Sequence, residues 1–255
     1  MTKEERLNAI IDLIEKNNFA TVAYLSKELN YSHATINRDI AELDRQGLIK
    51  RVWGGVEALK TDAVPLLFRY EKSKSSKMKV AKAAASLVND GDTVMIDGAT
   101  TTQFIGQYLI KKKHIHVITN NIALASYLSK HDIWVTVLGG DIIDKPYMTD
   151  GDETIEMISH YYADIAFFAT SAISSEGLIG DCEKIFWRSH KEMIRRSKQI
   201  YYLMDHEKID TPLFYVTCDL GSIHGIISDC ALPEALHRKY SRVRFIELDD
   251  QTNSQ

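Results

Sequence analysis

The sequence predicts an α/β protein in two parts: an N-terminal winged helix-turn-helix, then a Rossmann-like, mostly parallel sheet covered by helices. Three observations lead there. Residues 1–59 hold three short helical patterns and a Gly-Gly hairpin. From residue 77 to residue 250, β-branched runs alternate with helical periods, the pattern of a parallel sheet with helical crossovers. Between them, residues 60–76 show no clean period, include Pro65 and several serines, and read as a linker. Residues 251–255 are a polar tail. A length of 255 residues suits one small and one medium domain.

Composition narrows the class. With 45% hydrophobic and 26% charged residues the chain has enough apolar surface to fold. A net charge of −4 argues against sequence-blind coating of nucleic acid, while leaving room for a local basic face. The N-terminus is charged and amphipathic, without the apolar core of a signal peptide, and no apolar run approaches the length of a membrane span. Cys182, Cys218 and Cys230 are odd in number and lack metal-ligand spacing, so free thiols in a reducing cytoplasm are expected, with no metal and no cofactor.

In the first part, Leu7, Ile10, Ile11 and Ile14 fall at i, i+3, i+4 and i+7, one buried helical stripe ended by Asn17-Asn18. Thr21 is a good N-cap for a second helix carrying Leu25 and Leu29. Asn30-Tyr31 breaks the chain, and Ser32 caps a third helix running to about Gln46, with Gly47 at its C′ position. At 100° per residue, Ile36, Ile40 and Leu43 of that helix share the buried face. Arg38 and Arg45 lie almost opposite, with the small Ala34 between them and His33 and Asn37 on one flank. Arginine reads guanine and asparagine reads adenine in the major groove, so this face suits double-stranded DNA. Ser32, His33 and Thr35 at the helix start are candidate phosphate contacts, and Thr21 joins the set at the second helix start. Next, Leu48-Ile49, Lys50, Arg51, Trp53, Gly54, Gly55 and Val56–Leu59 form a hairpin or wing whose basic base and Trp53 tip can lie along DNA. Residues 1–59 carry eight Lys plus Arg against nine Asp plus Glu, so the face, and not bulk charge, makes this case.

In the second part, a helix over 77–88 leads to strand 93–97, the loop Gly98–Thr101 and a helix to about Leu109. Strand 116–119, helix 122–129 and strand 134–140 follow; then helix 153–161, strand 164–169, helix 184–197 and strand 199–205. Strands 214–219 and 225–229, a helix opened by Pro233 and strand 243–248 complete it. Open α/β sheets bind ligands at the carboxyl ends of their strands. There stand Asp97, Gly98, Ala99, Thr100, Thr101 and Thr102, then Asn120 and Asn121, Gly139 and Gly140, and Asp205 with Lys208. With Lys77 they make the candidate set for a small phosphorylated ligand: amides and hydroxyls for an anion, ammonium groups for its charge. His114 and His116 are read as surface residues, and the acids Asp152–Glu156 as a helix start.

YSHATINRDIAELDRQGLIKRVWGGV resembles the signature of the DeoR family of repressors, matching at Ser32, Thr35, Ile36, Arg38, Asp39, Leu43, Gly47, Arg51, Gly54 and Gly55. It departs at Tyr31, Asn37, Trp53 and Val56, where the family usually has Val, Arg, His and Ala. In the second part DGATTT, TNN, LGG, Asp164–Phe167 and Asp205–Lys208 resemble the DeoR effector domain, although Thr170–Ile173 replaces its usual glycines. The resemblance implies the fold shared with ribose-phosphate isomerase, operator DNA and a sugar phosphate as ligands, and a regulator of carbohydrate genes. A homodimer or homotetramer is expected, since paired half-sites are the rule for helix-turn-helix proteins. The competing reading is a sugar-phosphate isomerase or deaminase with an N-terminal appendage, although no general base with a matched acid stands near the loop.

Overall fold

The computed structural model describes residues 2–17, 19–45, 48–52, 54–58, 73–143, 148–181 and 186–248. The chain divides into two compact units, Met1–Lys72 and Ser73–Gln255. Gln46, Gly47, Trp53, Leu59, residues 60–72 of the linker, Cys182 and the tail lie outside the described residues.

The first unit runs α1 (Lys3–Asn17), β1 (Phe19–Ala20), α2 (Val22–Leu29), α3 (His33–Arg45), β2 (Ile49–Val52) and β3 (Gly55–Ala58). Its core is the expected stripe: Ile10, Ile11 and Ile14 meet Leu25, Ile36, Ile40, Leu43, Ile49 and Val56. Burying each large aliphatic side chain contributes about 1.5–3 kcal/mol. Thr21 caps α2, its hydroxyl accepting from the Tyr24 amide at 3.1 Å. Asn30 then turns the chain with φ 56°, a left-handed conformation that asparagine tolerates better than most residues. Ser32 caps α3 by accepting from the Thr35 amide at 3.2 Å. The wing strands pair antiparallel, Lys50 opposite Glu57 and Arg51 opposite Val56. Unexpectedly, β1 adds a third strand, in the order β1-β3-β2. Gly54 takes φ 88° at the wing turn. Gly55 is required by packing, since a Cβ there would sit 2.7 Å from the Phe19 ring.

The second unit opens with α4 (Lys74–Ser86), three residues earlier than the periodicity placed it. It continues through β4 (Thr93–Ile96), α5 (Thr100–Gln103), α6 (Gly106–Leu109), β5 (His116–Thr119), α7 (Ile122–Ser129) and β6 (Trp134–Val137). Then come β7 (Asp141–Ile143), β8 (Met148–Asp150), α8 (Asp152–Ser159), β9 (Ala163–Phe168), β10 (Ala172–Ile173) and β11 (Leu178–Asp181). The chain ends with α9 (Trp187–Arg195), β12 (Ser197–Met204), β13 (Tyr215–Asp219), β14 (Gly225–Ser228), α10 (Glu234–Lys239) and β15 (Arg244–Glu247). Seven strands form one sheet in the order β15-β14-β12-β9-β4-β5-β6, and every pair is parallel. The chain lays down β4, β5 and β6 in one direction, then returns to place β9 on the other side of β4. The strand order therefore reverses between β4 and β9, the switch point at which such sheets open a crevice.

Three details differ from the sequence expectation. The run 214–219 is no part of the parallel sheet; as β13 it pairs with β11 in a separate antiparallel sheet, β10-β11-β13. A second antiparallel pair, β7 with β8, follows the double glycine. The single helix expected up to Leu109 is two short ones.

Candidate DNA-reading face and effector crevice

On α3, Ile36, Ile40 and Leu43 point inward at 0–1% exposure, while His33, Ala34, Asn37, Arg38 and Arg45 are exposed. Ser32, Lys50, Arg51 and Gly54 are exposed beside them, Thr35 and Gly55 are half-buried, and Thr21 is exposed at the start of α2. The expected reading side of α3 is thus turned to solvent. Several acids of this unit are engaged within it. Asp39 is buried and receives Arg6 in a two-pronged pair, Nε to Oδ2 at 2.6 Å and Nη2 to Oδ1 at 3.1 Å. Arg6 also lies 4.6 Å over the Tyr31 ring, and its pKa is held above the ordinary arginine value by the bond to Asp39. Glu42 pairs with Lys3, and Asp44 accepts the Arg51 amide at 3.2 Å, tying the wing to α3. Asn37 donates to the His33 carbonyl at 3.0 Å, and its oxygen accepts from Arg51 at 3.5 Å.

At the carboxyl end of β4 the threonine loop receives two ammonium groups. Lys77 from α4 donates to the Thr100 hydroxyl and Lys208, just past β12, donates to the Thr101 hydroxyl, both at 3.2 Å. Lys77 is buried and Lys208 half-buried. The first-turn amides of α5 have no intrahelical acceptor. Because α5 spans only four residues, its dipole adds little, and the anion-attracting charge here is the lysine pair.

Asp97 is the hub of this crevice. It is buried, with Oδ1 accepting from the Thr102 hydroxyl and the Ala99 amide. Its Oδ2 accepts at 3.0 Å both from the Ala169 amide at the end of β9 and from His190 Nε2 on α9. Burial pulls the His190 imidazole down, but the bond to Asp97 and the charges of Asp97, Asp181 and Asp150 outweigh it, leaving its pKa above the ordinary value. Burial raises the Asp150 carboxyl against bonds from Ser189 and Gly151.

Other expected residues build the walls. Asn120 donates to the Thr149 carbonyl at 2.8 Å. Asn121 caps α7, accepting from the Leu124 amide at 2.8 Å, and reaches Gln103 at 3.4 Å. Gly98 packs where a Cβ would lie 2.7 Å from Met148. Gly139 donates its amide to Met157 Sδ at 3.0 Å, and Gly140 turns the chain with φ 134°. Asp205 is buried and opens the turn that carries Lys208, whose amide donates to the Asp205 carbonyl at 3.1 Å. Hydrogen bonds therefore bring together Lys77, Thr100, Thr101, Lys208, Asp97 and Thr102, whereas Asn120 bonds to β8, Asn121 caps α7 and Gly139 bonds to α8. Sequence reasoning missed Asp150, Asp181 and His190, which no local motif marks. Among the described residues no cluster of three or more His, Cys, Asp or Glu is arranged to hold a metal, and no helix is long and apolar enough to cross a membrane.

Comparison with known proteins agrees with both halves. The DeoR-like helix-turn-helix domain matches residues 6–62, and the DeoR C-terminal sensor domain matches residues 72–230. The chain is 33% identical over 232 residues to the HTH-type transcriptional repressor GlcR of Bacillus subtilis, covering 90% of this chain and 89% of that protein. It is 26% identical over 236 residues to the glycerol-3-phosphate regulon repressor of Escherichia coli, covering 91% and 93%. Among solved structures, ribose 5-phosphate isomerase from Plasmodium falciparum aligns with a TM-score of 0.39 at 19% identity, over 54% of this chain and 53% of that one. A DNA-binding helix-turn-helix joined to a sensor domain defines a ligand-responsive transcription regulator, not an enzyme. The chain belongs to the DeoR family.

Proposed function

We propose that this regulator is a repressor of a carbohydrate-metabolism operon, and that a phosphorylated sugar bound in the second unit changes its affinity for operator DNA. The observation that carries the ligand class is the convergence of Lys77 and Lys208 on the adjacent hydroxyls of Thr100 and Thr101 at the switch point of the sheet. Two ammonium groups held beside open amides and hydroxyls match a phosphoryl group in charge and in donor geometry. The names of the two relatives, a GlcR repressor and a repressor of a glycerol-3-phosphate regulon, favour a carbohydrate-derived phosphate. Exposed Arg38, Arg45 and Asn37 on α3, with Lys50 and Arg51 of the wing, read the operator. The working unit is a homodimer or homotetramer in the cytoplasm, because a single small reading unit gives too little affinity and operators carry paired half-sites. Ligand action requires that one arrangement of the reading units bind the sugar phosphate better than another.

A thermal-shift screen against sugar phosphates tests the reading, since a ligand bound only by the folded state raises the melting temperature by mass action. Lys208→Ala should abolish the shift and the ligand's effect on operator retardation. A mutant that still responds with wild-type sensitivity removes Lys208 from the site.

A further inference from the structure

The crevice contains more polar machinery than a phosphate needs. Asp150 ends β8, Asp181 ends β11 and His190 lies on α9; they are 4%, 7% and 4% exposed. One side of each is committed. Asp150 Oδ1 accepts from the Ser189 hydroxyl and the Gly151 amide, Asp181 Oδ1 accepts from the Ser171 amide at 2.8 Å, and His190 Nε2 donates to Asp97. These bonds interlock the three groups. Ser189, which holds Asp150, is the neighbour of His190, and Ser171, which holds Asp181, lies two residues beyond the Ala169 amide that binds Asp97.

The opposite side of each group is buried without a hydrogen-bond partner: Asp150 Oδ2, Asp181 Oδ2 and His190 Nδ1. Trp187 Nε1, one turn earlier on α9, is in the same state. Folded proteins leave few such atoms, because each forfeits its hydration without compensation. Several in one interlocked cluster mark a place where a hydrogen-bonding ligand would gain partners. Two carboxylates repel an anion, so the phosphate end does not belong here. An apolar occupant leaves every orphan unpaired. A hydroxyl donates to a carboxylate and accepts from an N–H at once, so neighbouring hydroxyls satisfy the set. With its Nε2 on Asp97, His190 offers Nδ1 as an acceptor when neutral and as a donor when protonated, and a hydroxyl meets either.

We infer that Asp150, Asp181 and His190 recognise the hydroxyl groups of the effector, and thereby choose among phosphorylated sugars, while Lys77 and Lys208 hold the phosphate. The inference rests on the sugar-phosphate reading above. Asp97 joins the two halves: Oδ2 holds His190, and Oδ1 holds Thr102, the neighbour of the Thr101 that Lys208 reaches.

Isothermal titration of the full chain with inorganic phosphate, ribose 5-phosphate, glucose 6-phosphate and fructose 6-phosphate decides it. The quantity read is the affinity for the tightest sugar phosphate divided by that for inorganic phosphate. It should exceed about thirtyfold in the native protein and fall at least about tenfold in Asp150→Asn and in Asp181→Asn. A ratio unchanged in both variants, or close to one in the native protein, overturns the inference. Should the variants not fold, native protein with deoxy counterparts of the tightest sugar phosphate answers instead: about tenfold weaker binding supports the assignment, and equal binding overturns it. Absence of any binding by phosphate or sugar phosphates, with Lys208→Ala changing nothing, sinks the parent reading as well. Binding that ignores Asp150 and Asp181 sinks this inference alone.

Discussion

The two units present their working groups in opposite ways. In the first, Arg38, Arg45, Asn37, Lys50 and Arg51 stand exposed on one helix face and one hairpin, within a short stretch of chain. In the second, Lys77, Asp97, Asp150, Asp181 and His190 are buried, and with Lys208 they arrive from six separate places in the sequence. A surface that must lie against DNA is whatever the core does not use, so it can be read as the complement of a hydrophobic stripe. An enclosed ligand needs polar groups inside, held by other polar groups, and their assembly depends on topology. The contrast also explains why net charge misleads. Asp39 pairs with Arg6 and Glu42 with Lys3, so a net charge near zero does not describe the α3 face.

Perturbations should respect this division. The largest effect is expected from Arg6→Met, which leaves the Asp39 carboxylate, 2% exposed, without its cation. Urea unfolding should show a loss of about 3–5 kcal/mol in the first unit, with the ligand-induced shift of the second retained. A loss below about 1 kcal/mol would mean the pair is not what braces α3. Arg38→Ala should weaken operator binding by about 1–3 kcal/mol in gel retardation at fixed salt, with no change in melting temperature. Unchanged binding removes that arginine from the reading set. Thr21→Ala separates a cap from a DNA contact: the lost bond to the Tyr24 amide should cost about 1 kcal/mol of stability, and Thr21→Ser should restore it. A final test changes no residue. The raised His190 pKa makes its charged form part of the folded state, so that stabilisation is complete below the ordinary histidine value of about 6.5 and disappears as pH rises through the folded value. Melting of the second unit should fall across that window, and His190→Gln should flatten the slope. An identical slope in the variant assigns the dependence to other groups.

Much of the fold was legible because its elements obey one period each. The α1 and α3 stripes, the Thr21 and Ser32 caps and the doubly apolar strands β4, β5, β9 and β12 follow from spacing alone. The short pairs β7 with β8 and β10 with β11 were not legible, since two- to four-residue strands carry too few alternations to stand out from loop. The same limit misplaced 214–219, whose apolar run says strand but not which sheet. In the crevice, the threonine loop and Lys208 follow from the rule that ligands gather at strand ends, whereas Lys77, on a helix, does not. Asp150, Asp181 and His190 were not legible, because an acid at the end of a short antiparallel strand and a histidine in mid-helix look ordinary until three-dimensional pairing leaves one side of each unpaired.

Asn37 stands where DeoR proteins usually carry arginine, and its amide is already engaged on both sides, by the His33 carbonyl and by Arg51. Reading an adenine edge requires surrendering these contacts, so a correct base only exchanges one set of bonds for another, while a wrong base leaves the amide and the guanidinium stranded together. Under the proposed reading, position 37 would act as a veto, adding little grip on the right operator and withholding it from near-miss sequences.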